Sequence, residues 1–365
     1  MPSSLSQLPR DRLALIERAR QAVMNGAGSP PEAGSEPWLE RSWRRCLASG
    51  QRPEQHLEFD MIAAQARLRV IEANQPLVQA ARPVLDRLSR ALASTRYFAI
   101  LTDQKGVVID AHGPIDHGDR RADLITRVGV DLSERSVGTT AIGAALSELQ
   151  PVWLHRGEHF FNDTSAYSCA GAPLFGPQGS CVGMLDLTGI DAAERPELKH
   201  LVAQSARSIE NGLVQSLPHK LLLRLNWPGR SLGTDEDGLV CVDGDGWVVG
   251  ANHAARQMVP QLALAGAPAH CSELFAQPWD QLFDLARQGA ASAPAEVPLW
   301  SGLRLHALPQ LPGQPATPLA PRVPLRDVEI ALIRKAVAES RGNVVQAAKV
   351  LGISRATIYR KLGHK

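Results

Sequence analysis

"RGNVVQAAKVLGISRATIYRKL", residues 341–362, reads as two short helices broken by a glycine. Val344, Ala347, Ala348 and Leu351 recur at i, i+3, i+4 and i+7, which is one apolar stripe of a helix. The two alanines in that stripe let a neighbouring helix come close. Asn343 stands in front as an N-cap, its side-chain oxygen available to backbone N–H groups of the first turn. Gly352 supplies the turn, Ile353 plugs the angle between the helices, and Ser354 caps the second helix. Arg355, Thr357, Tyr359, Arg360 and Lys361 project from that helix, which Ile358 and Leu362 anchor. Upstream, Leu325 to Ser340 carries a further helix-type pattern that Gly342 stops. A polar, cationic helix held on a compact helical pair is a helix-turn-helix suited to a major groove. A plain helical hairpin with a basic face is the alternative.

Charge sets this tail apart. From Arg322 to Lys365 ten Lys/Arg face three acidic residues, a net of +7, whereas the remainder carries 29 basic against 34 acidic residues, a net of −5. A basic tail on an acidic body calls for a polyanion partner at the tail alone. The five cysteines, Cys46, Cys169, Cys181, Cys241 and Cys271, are scattered, with no CxxC pair. That pattern fits a reducing cytoplasm and neither a disulfide framework nor a zinc module. No apolar run is long enough for a membrane span, and "MPSSLSQLPRDRLALIERAR" lacks the apolar stretch of a secretory signal. The expectation is a cytoplasmic protein without a membrane partner.

Working upstream, "PQLPGQPATPLAPRVP" (309–324) holds six prolines and predicts an extended linker. "GLVCVDGDGWVVGANHAARQMV" (238–259) predicts strand, Asp-Gly turn, strand, then a helix begun at Asn252. From Pro196 to Leu217, Leu198, Leu201, Val202, Ser205, Ile209 and Leu213 share one helix face. This is a connecting helix that could pair with a partner helix or pack on its own domain. "PLFGPQGSCVGMLDLTG" alternates β-like runs with glycine turns, and residues 36–96 are mostly helical in pattern, punctuated by Pro53, Pro76 and Pro83. "SVGTTAIGAAL" places small residues at a helix start, where backbone N–H groups can meet an anion or carbonyl. "VWLHRGEHFF" and "YSCAGAPL" contribute Trp153, His155, His159, Phe160, Tyr167, Ser168 and Cys169, an apolar wall with polar tips of the kind that lines a small-molecule pocket. His155 and His159, four apart, flank a glycine in a strand-to-loop context, which argues against a shared metal.

These stretches carry resemblances. The tail resembles the Fis-type helix-turn-helix at the C-terminus of bacterial enhancer-binding regulators. That resemblance implies a dimeric reader of double-stranded DNA, with Arg355 as the bidentate contact to guanine. Asn343, Ser354, Thr357, Arg360 and Lys361 would hold phosphates, with Gln346 and Tyr359 completing the DNA-facing set. "RSWRRCLASGQRPE" (41–54) resembles the opening segment of regulators related to the acetoin-catabolism activator. "DLSERSVGTTAIGAALSELQPVWLHRGEHF" (131–160) and "YSCAGAPLFGPQGSCVGMLDLTG" (167–189) resemble that family's GAF domain, a ligand-holding antiparallel sheet. Residues 238–259 resemble the opening of a PAS domain, although the stretch from 260 to 308 is short for a complete one.

The implied chain is α+β: a helical region at 1–95, a GAF sensor at 96–195 and a connecting helix at 196–217. A PAS-like α/β unit, short for a complete fold, follows at 218–308, then the linker at 309–324 and an all-α Fis-type helix-turn-helix at 325–365. Such regulators usually carry an AAA+ ATPase that remodels sigma-54 polymerase. Neither a G-x-x-x-x-G-K-[ST] loop nor a Gly-Ala-Phe-Thr-Gly-Ala loop occurs in this sequence. The expectation is therefore a non-enzymatic, cofactor-free homodimer. It binds DNA and a small-molecule effector, touches RNA polymerase if at all directly, and hydrolyses no ATP. The alternatives are an architectural, DNA-bending protein with an inert front, and an enzyme built on His155, Glu158, His159 and Cys169. No nucleophile–base–orienter order supports the latter.

Overall fold

The computed structural model describes residues 8–26, 36–263, 268–288, 294–313, 333, 337, 340, 343–351 and 353–362. Four helices come first: α1 (Leu8–Met24), α2 (Pro37–Ala48), α3 (Ala64–Ala73) and α4 (Gln75–Leu92). Pro37 and Pro76 sit in the first turns of α2 and α4, where a missing N–H costs nothing. Pro83, expected to punctuate, lies inside α4. Leu77, Ala81, Val84, Leu85, Leu88 and Leu92 nevertheless keep one buried stripe along that helix.

Strands β1 (Tyr97–Asp103), β2 (Val108–His112), β3 (Val152–His155), β4 (Tyr167–Phe175) and β5 (Cys181–Ile190) form one antiparallel sheet in the order β2-β1-β5-β4-β3. Between β2 and β3 run the short helices α5 (Arg120–Ile125), α6 (Glu134–Val137) and α7 (Ala141–Glu148). Alternation along the strands divides the residues between two cores. Leu101, Ala170, Ala172, Leu174, Leu185 and Leu187 join α4 and α8 (Leu198–Gln215) on one face. Phe98, Ile100, Leu154, Tyr167, Cys169 and Met184 face α1, α2 and α7 on the other. The apolar seam expected along 196–217 is thus spent on its own sheet and on α4 rather than left for a partner helix. Near its end, Val214 also packs on Leu222, Leu239 and Cys241 of the next unit.

The second sheet is antiparallel too: β6 (Leu221–Asn226), β7 (Gly238–Val242), β8 (Val248–Ala251), β9 (Ala295–Pro298) and β10 (Arg304–Gln310), in the order β8-β7-β6-β10-β9. The strand–turn–strand–helix read from 238–259 is present, with Asn252 accepting from Ala255 N at 2.8 Å to cap α9 (His253–Met258). Helices α10 (Cys271–Leu274) and α11 (Asp280–Arg287) complete its cover. The unit is not short of strands, because β6, upstream of the recognised hairpin, pairs with β7 on one side and β10 on the other. Pro309 and Gln310, expected in the linker, belong to β10 and pair with Leu223 and Leu222. The remaining linker from 314 to 324 lies outside the described residues.

Helices α12 (Val344–Leu351) and α13 (Arg355–Leu362) close the chain. Ala347, Ala348, Ile333 and Ile358 form a small core with Val337, Val344 and Ile353 against it. Asn343 Oδ1 accepts from Val345 N (3.1 Å) and Gln346 N (3.2 Å), and Ser354 Oγ accepts from Thr357 N (3.1 Å). Both helix starts are therefore capped by the residues the sequence indicated. Among the described residues no helix is long and apolar enough to cross a membrane.

Candidate functional site

Register fixes what faces the helical side of the first sheet. Leu154 pairs with Cys169, Cys169 with Thr188, and Ile100 with Asp186. This sets Cys169, Asp186 and Thr188 side by side above the sheet. They border a small cavity of about 30 Å³ with His159, Tyr167, Thr140, Ala141, Ile142 and several apolar side chains. That volume admits a water or two.

Three of the seven residues read from the sequence meet here: His159, Tyr167 and Cys169. The others do not. Trp153 and His155 have the opposite strand parity from Val152 and Leu154, so they point to the α4–α8 face, where Trp153 packs on that core. His155 Nδ1 lies 2.6 Å from Ser168 Oγ, and its ring stacks on Trp153. Ser168 is thereby on the far face as well. Phe160 is fully buried, edge-on to Phe161, and fills the core beside the cavity. Among the described residues no group of three or more His, Cys, Asp or Glu is placed to hold a metal.

Two polar atoms of the cavity are left without partners. His159 is 1% exposed; its Nδ1 sits 3.0 Å from Arg156 O, so the proton is on Nδ1 and Nε2 is a bare acceptor. Burial holds its pKa down at about 4, so the ring is neutral. Nε2 has no hydrogen-bond partner. Asp186 is fully buried, which raises its pKa to about 7. Thr188 Oγ1 donates to its Oδ2, while Oδ1 has no partner. Cys169 Sγ lies 3.4 Å from Thr188 Oγ1, and burial pushes its thiol well up. It is a protonated, unreactive thiol in this conformation. An acceptor and a carboxyl able to donate or accept thus share one small, otherwise apolar chamber. The sequence reading missed Asp186, Thr188 and Thr140.

The loops over the cavity are clamped from the N-terminal side, and here two separate sequence signals meet. From "RSWRRC" on α2, Arg45 bonds Glu134 (2.7 Å) and Glu148 (3.0 Å), Ser42 bonds Glu134 (2.6 Å) and Thr139 (2.7 Å), and Arg41 pairs with Glu148. Trp43 Nε1 donates to Glu158 O at 3.0 Å. The "SVGTTAIG" stretch answers with Gly138 at φ +67°, and with Gly143, where a side chain would collide with the backbone of Glu134. Thr140 Oγ1 takes the N–H of Gly143, so the start of α7 is capped by its own chain. The backbone donors expected there for an anion are accordingly partly used.

In the tail, Gln346, Ser354, Arg355 and Tyr359 are exposed, and Thr357 and Lys361 are half-buried. Arg355 opens α13. The side chain of Arg360 lies outside the described residues.

The capped helical pair and the clamped first sheet each fall within a family of known proteins. Residues 324–363 match the family described as bacterial regulatory protein, Fis family. Residues 14–211, more than half of the chain, match the model of the MimR N-terminal domain, and the chain belongs to that family. It is similar to the acetoin catabolism regulatory protein of Cupriavidus necator, 30% identical over 67% of this chain and 37% of that protein. It also resembles the propane 2-monooxygenase operon transcriptional activator MimR of Mycolicibacterium goodii, 28% identical over 56% of this chain and 34% of that one. The chain thus spans about a third of the length of these relatives. Among solved structures, the Escherichia coli DhaR(N)–DhaL complex aligns with a TM-score of 0.46 at 15% identity, over 75% of this chain and 99% of that one.

Proposed function

We propose that the chain is a dimeric transcription regulator that binds operator DNA through residues 343–362. In this reading the first sheet is a GAF-type sensor for a small, uncharged effector, and the second is a PAS-like spacer. The observation that carries it is the pair of buried polar atoms without partners, His159 Nε2 and Asp186 Oδ1, bordering one cavity. Unpaired buried groups cost free energy, so their retention points to a ligand that pairs with them. His159 Nε2 requires that ligand to bring a hydrogen-bond donor. At about 30 Å³ the cavity holds no organic molecule, so effector binding must enlarge it.

Control would come through operator occupancy or direct polymerase contact, since no phosphate-binding loop is present for ATP-driven remodelling. A tenfold change in operator affinity corresponds to about 1.4 kcal/mol of differential effector binding, and linkage makes the effect reciprocal. The smallness of the cavity favours the second reading, an architectural DNA-binding protein with an inert front. Calorimetry of neutral metabolites against the parent and a His159→Gln, Asp186→Asn double variant, with and without operator DNA, separates the two. Sensing predicts binding that the double variant loses and that DNA alters; the architectural reading predicts no binding at all. For the tail, Arg355→Ala should weaken operator binding by about 1–3 kcal/mol and relax one base preference, measured by titration on variant operators.

A further inference from the structure

One segment bordering the cavity carries His159, and one side chain outside the sheet grips that segment through four hydrogen bonds. Arg20 of α1 is 8% exposed. Its Nη1 donates to Gly157 O (3.1 Å) and His159 O (2.8 Å), and its Nη2 to Phe160 O (2.6 Å) and Asn162 Oδ1 (3.1 Å). All four acceptors lie within six residues of chain, on either side of the His159 ring that borders the cavity. Among the described residues no carboxylate lies within ion-pair distance of this guanidinium. With Glu17 and Glu54 acting on it only from beyond ion-pair distance, a buried cation is an expensive way to pack a helix, because an apolar side chain of similar size would do so without desolvating a charge. What the guanidinium alone supplies is a rigid fork of donors, and every donor used is spent on 157–162.

The gripped segment also begins from a strained backbone. Arg156 has φ +50°, in the left-handed region that a residue with a side chain adopts at a cost. Such a turn persists only where its surroundings hold it. Trp43 Nε1 holds Glu158 O, and Asn162 N donates to Pro53 O at 2.9 Å. Arg20 supplies the largest share, and it comes from the most N-terminal helix described.

We infer that Arg20 is a positioning residue whose guanidinium keeps 156–162 closed and aims His159 into the cavity, so that α1 sets how often the chamber opens. This rests on reading that cavity as the effector site and specifies how a chamber with room for a water or two comes to admit anything larger. Opening requires the segment to leave the fork, and the effector's binding energy is reduced by the cost of that release.

Cys169 provides a probe that needs no effector. Its thiol borders the cavity beneath the segment, buried and protonated, whereas Cys271 is buried in the core of the second unit. Iodoacetamide labelling of the native full chain, followed by mass spectrometry of each cysteine-containing peptide, measures how often each site opens. Arg20→Met should speed labelling of Cys169 at least tenfold and leave Cys271 unchanged. Arg20→Lys, which keeps the charge but loses the planar fork, should fall between parent and Met variant. Unchanged Cys169 labelling in both variants overturns the inference. So does an equal acceleration of Cys169 and Cys271, which would mark Arg20 as part of global stability only. If the Met variant does not fold, the ratio of the two rates in Arg20→Lys decides by the same criterion. Since no effector enters the experiment, a failed search for an effector leaves this result standing. A failed latch likewise leaves the cavity's unpaired atoms as they are.

Discussion

Each sheet buries an aspartate, and the two are treated in opposite ways. Asp237, at the start of β7, is surrounded. Gly233 N donates to it at 2.6 Å, Thr234 N at 3.2 Å and Asn226 Nδ2 at 3.3 Å, and Arg224 lies 3.5 Å away, itself held by Gln310 at 3.0 Å. Asp186, in the middle of β5, has Thr188 on one oxygen and nothing on the other. Both oxygens of Asp237 are bonded, although Gln310 Nε2 at the edge of the network has no partner, and a carboxylate held on both oxygens fixes a local structure. A lone carboxyl facing a cavity fixes nothing by itself and remains available to something not in the chain. In the proposed reading the contrast separates a sheet that joins and spaces from a sheet that responds.

The sharpest way to break this contrast is at Asp237. Asp237→Ala strands a buried arginine and should destabilise the second unit by about 3–5 kcal/mol in denaturant titrations. Little loss there would mean that the network holds no structure. Asp186 should behave in the reverse sense. Burial raises its pKa from 3.8 to about 7, so between those values the folded chain binds a proton that the unfolded chain has released. Stability from this group therefore falls as pH rises through that window. Asp186→Asn should gain about 2–4 kcal/mol at pH 8 and almost nothing near pH 4, by chemical denaturation at the two pH values. A loss at pH 8 would place Asp186 with Asp237 as a structural residue. The smallest effect belongs to Thr188→Val, which removes the one donor to Asp186. It should cost about 1 kcal/mol at pH 8 and less at pH 4.

What the sequence disclosed follows the range over which each signal acts. The caps Asn343 and Ser354, the alanine stripe of α12 and the β7–β8 hairpin are local patterns, and the chain forms them where they were read. The cavity wall was only half legible. "VWLH" and "YSCA" were recognised as strands, but which alternate residue faces which side depends on register, and a one-residue choice moves Trp153, His155 and Ser168 to the far face. Asp186 passed unnoticed within an apolar run, "GMLDLTG", where one acid looks like an interruption rather than a site. β6, β9 and β10 of the second sheet were hidden, because β6 precedes the recognised hairpin and pairs with β10 about 80 residues later. Nor could any local pattern join Arg20 to 157–162, since that contact spans 137 to 142 positions.

The turn between β4 and β5 has a practical consequence for anyone who would transplant this front. Pro177 O accepts from Ala251 N at 2.9 Å and from Arg256 at 2.6 Å, and Phe175 stacks on His253. The tip of the first sheet is therefore seated on the second unit. Glu210, on α8, bonds Phe175 N behind it. A cut at the end of α8, the obvious place to separate modules by sequence, would uncover that tip and the Val214 contact together. The piece that can be moved to a new tail runs through β10, and chimeras joined after Gln310 should keep a soluble, folded front where those joined after Leu217 do not.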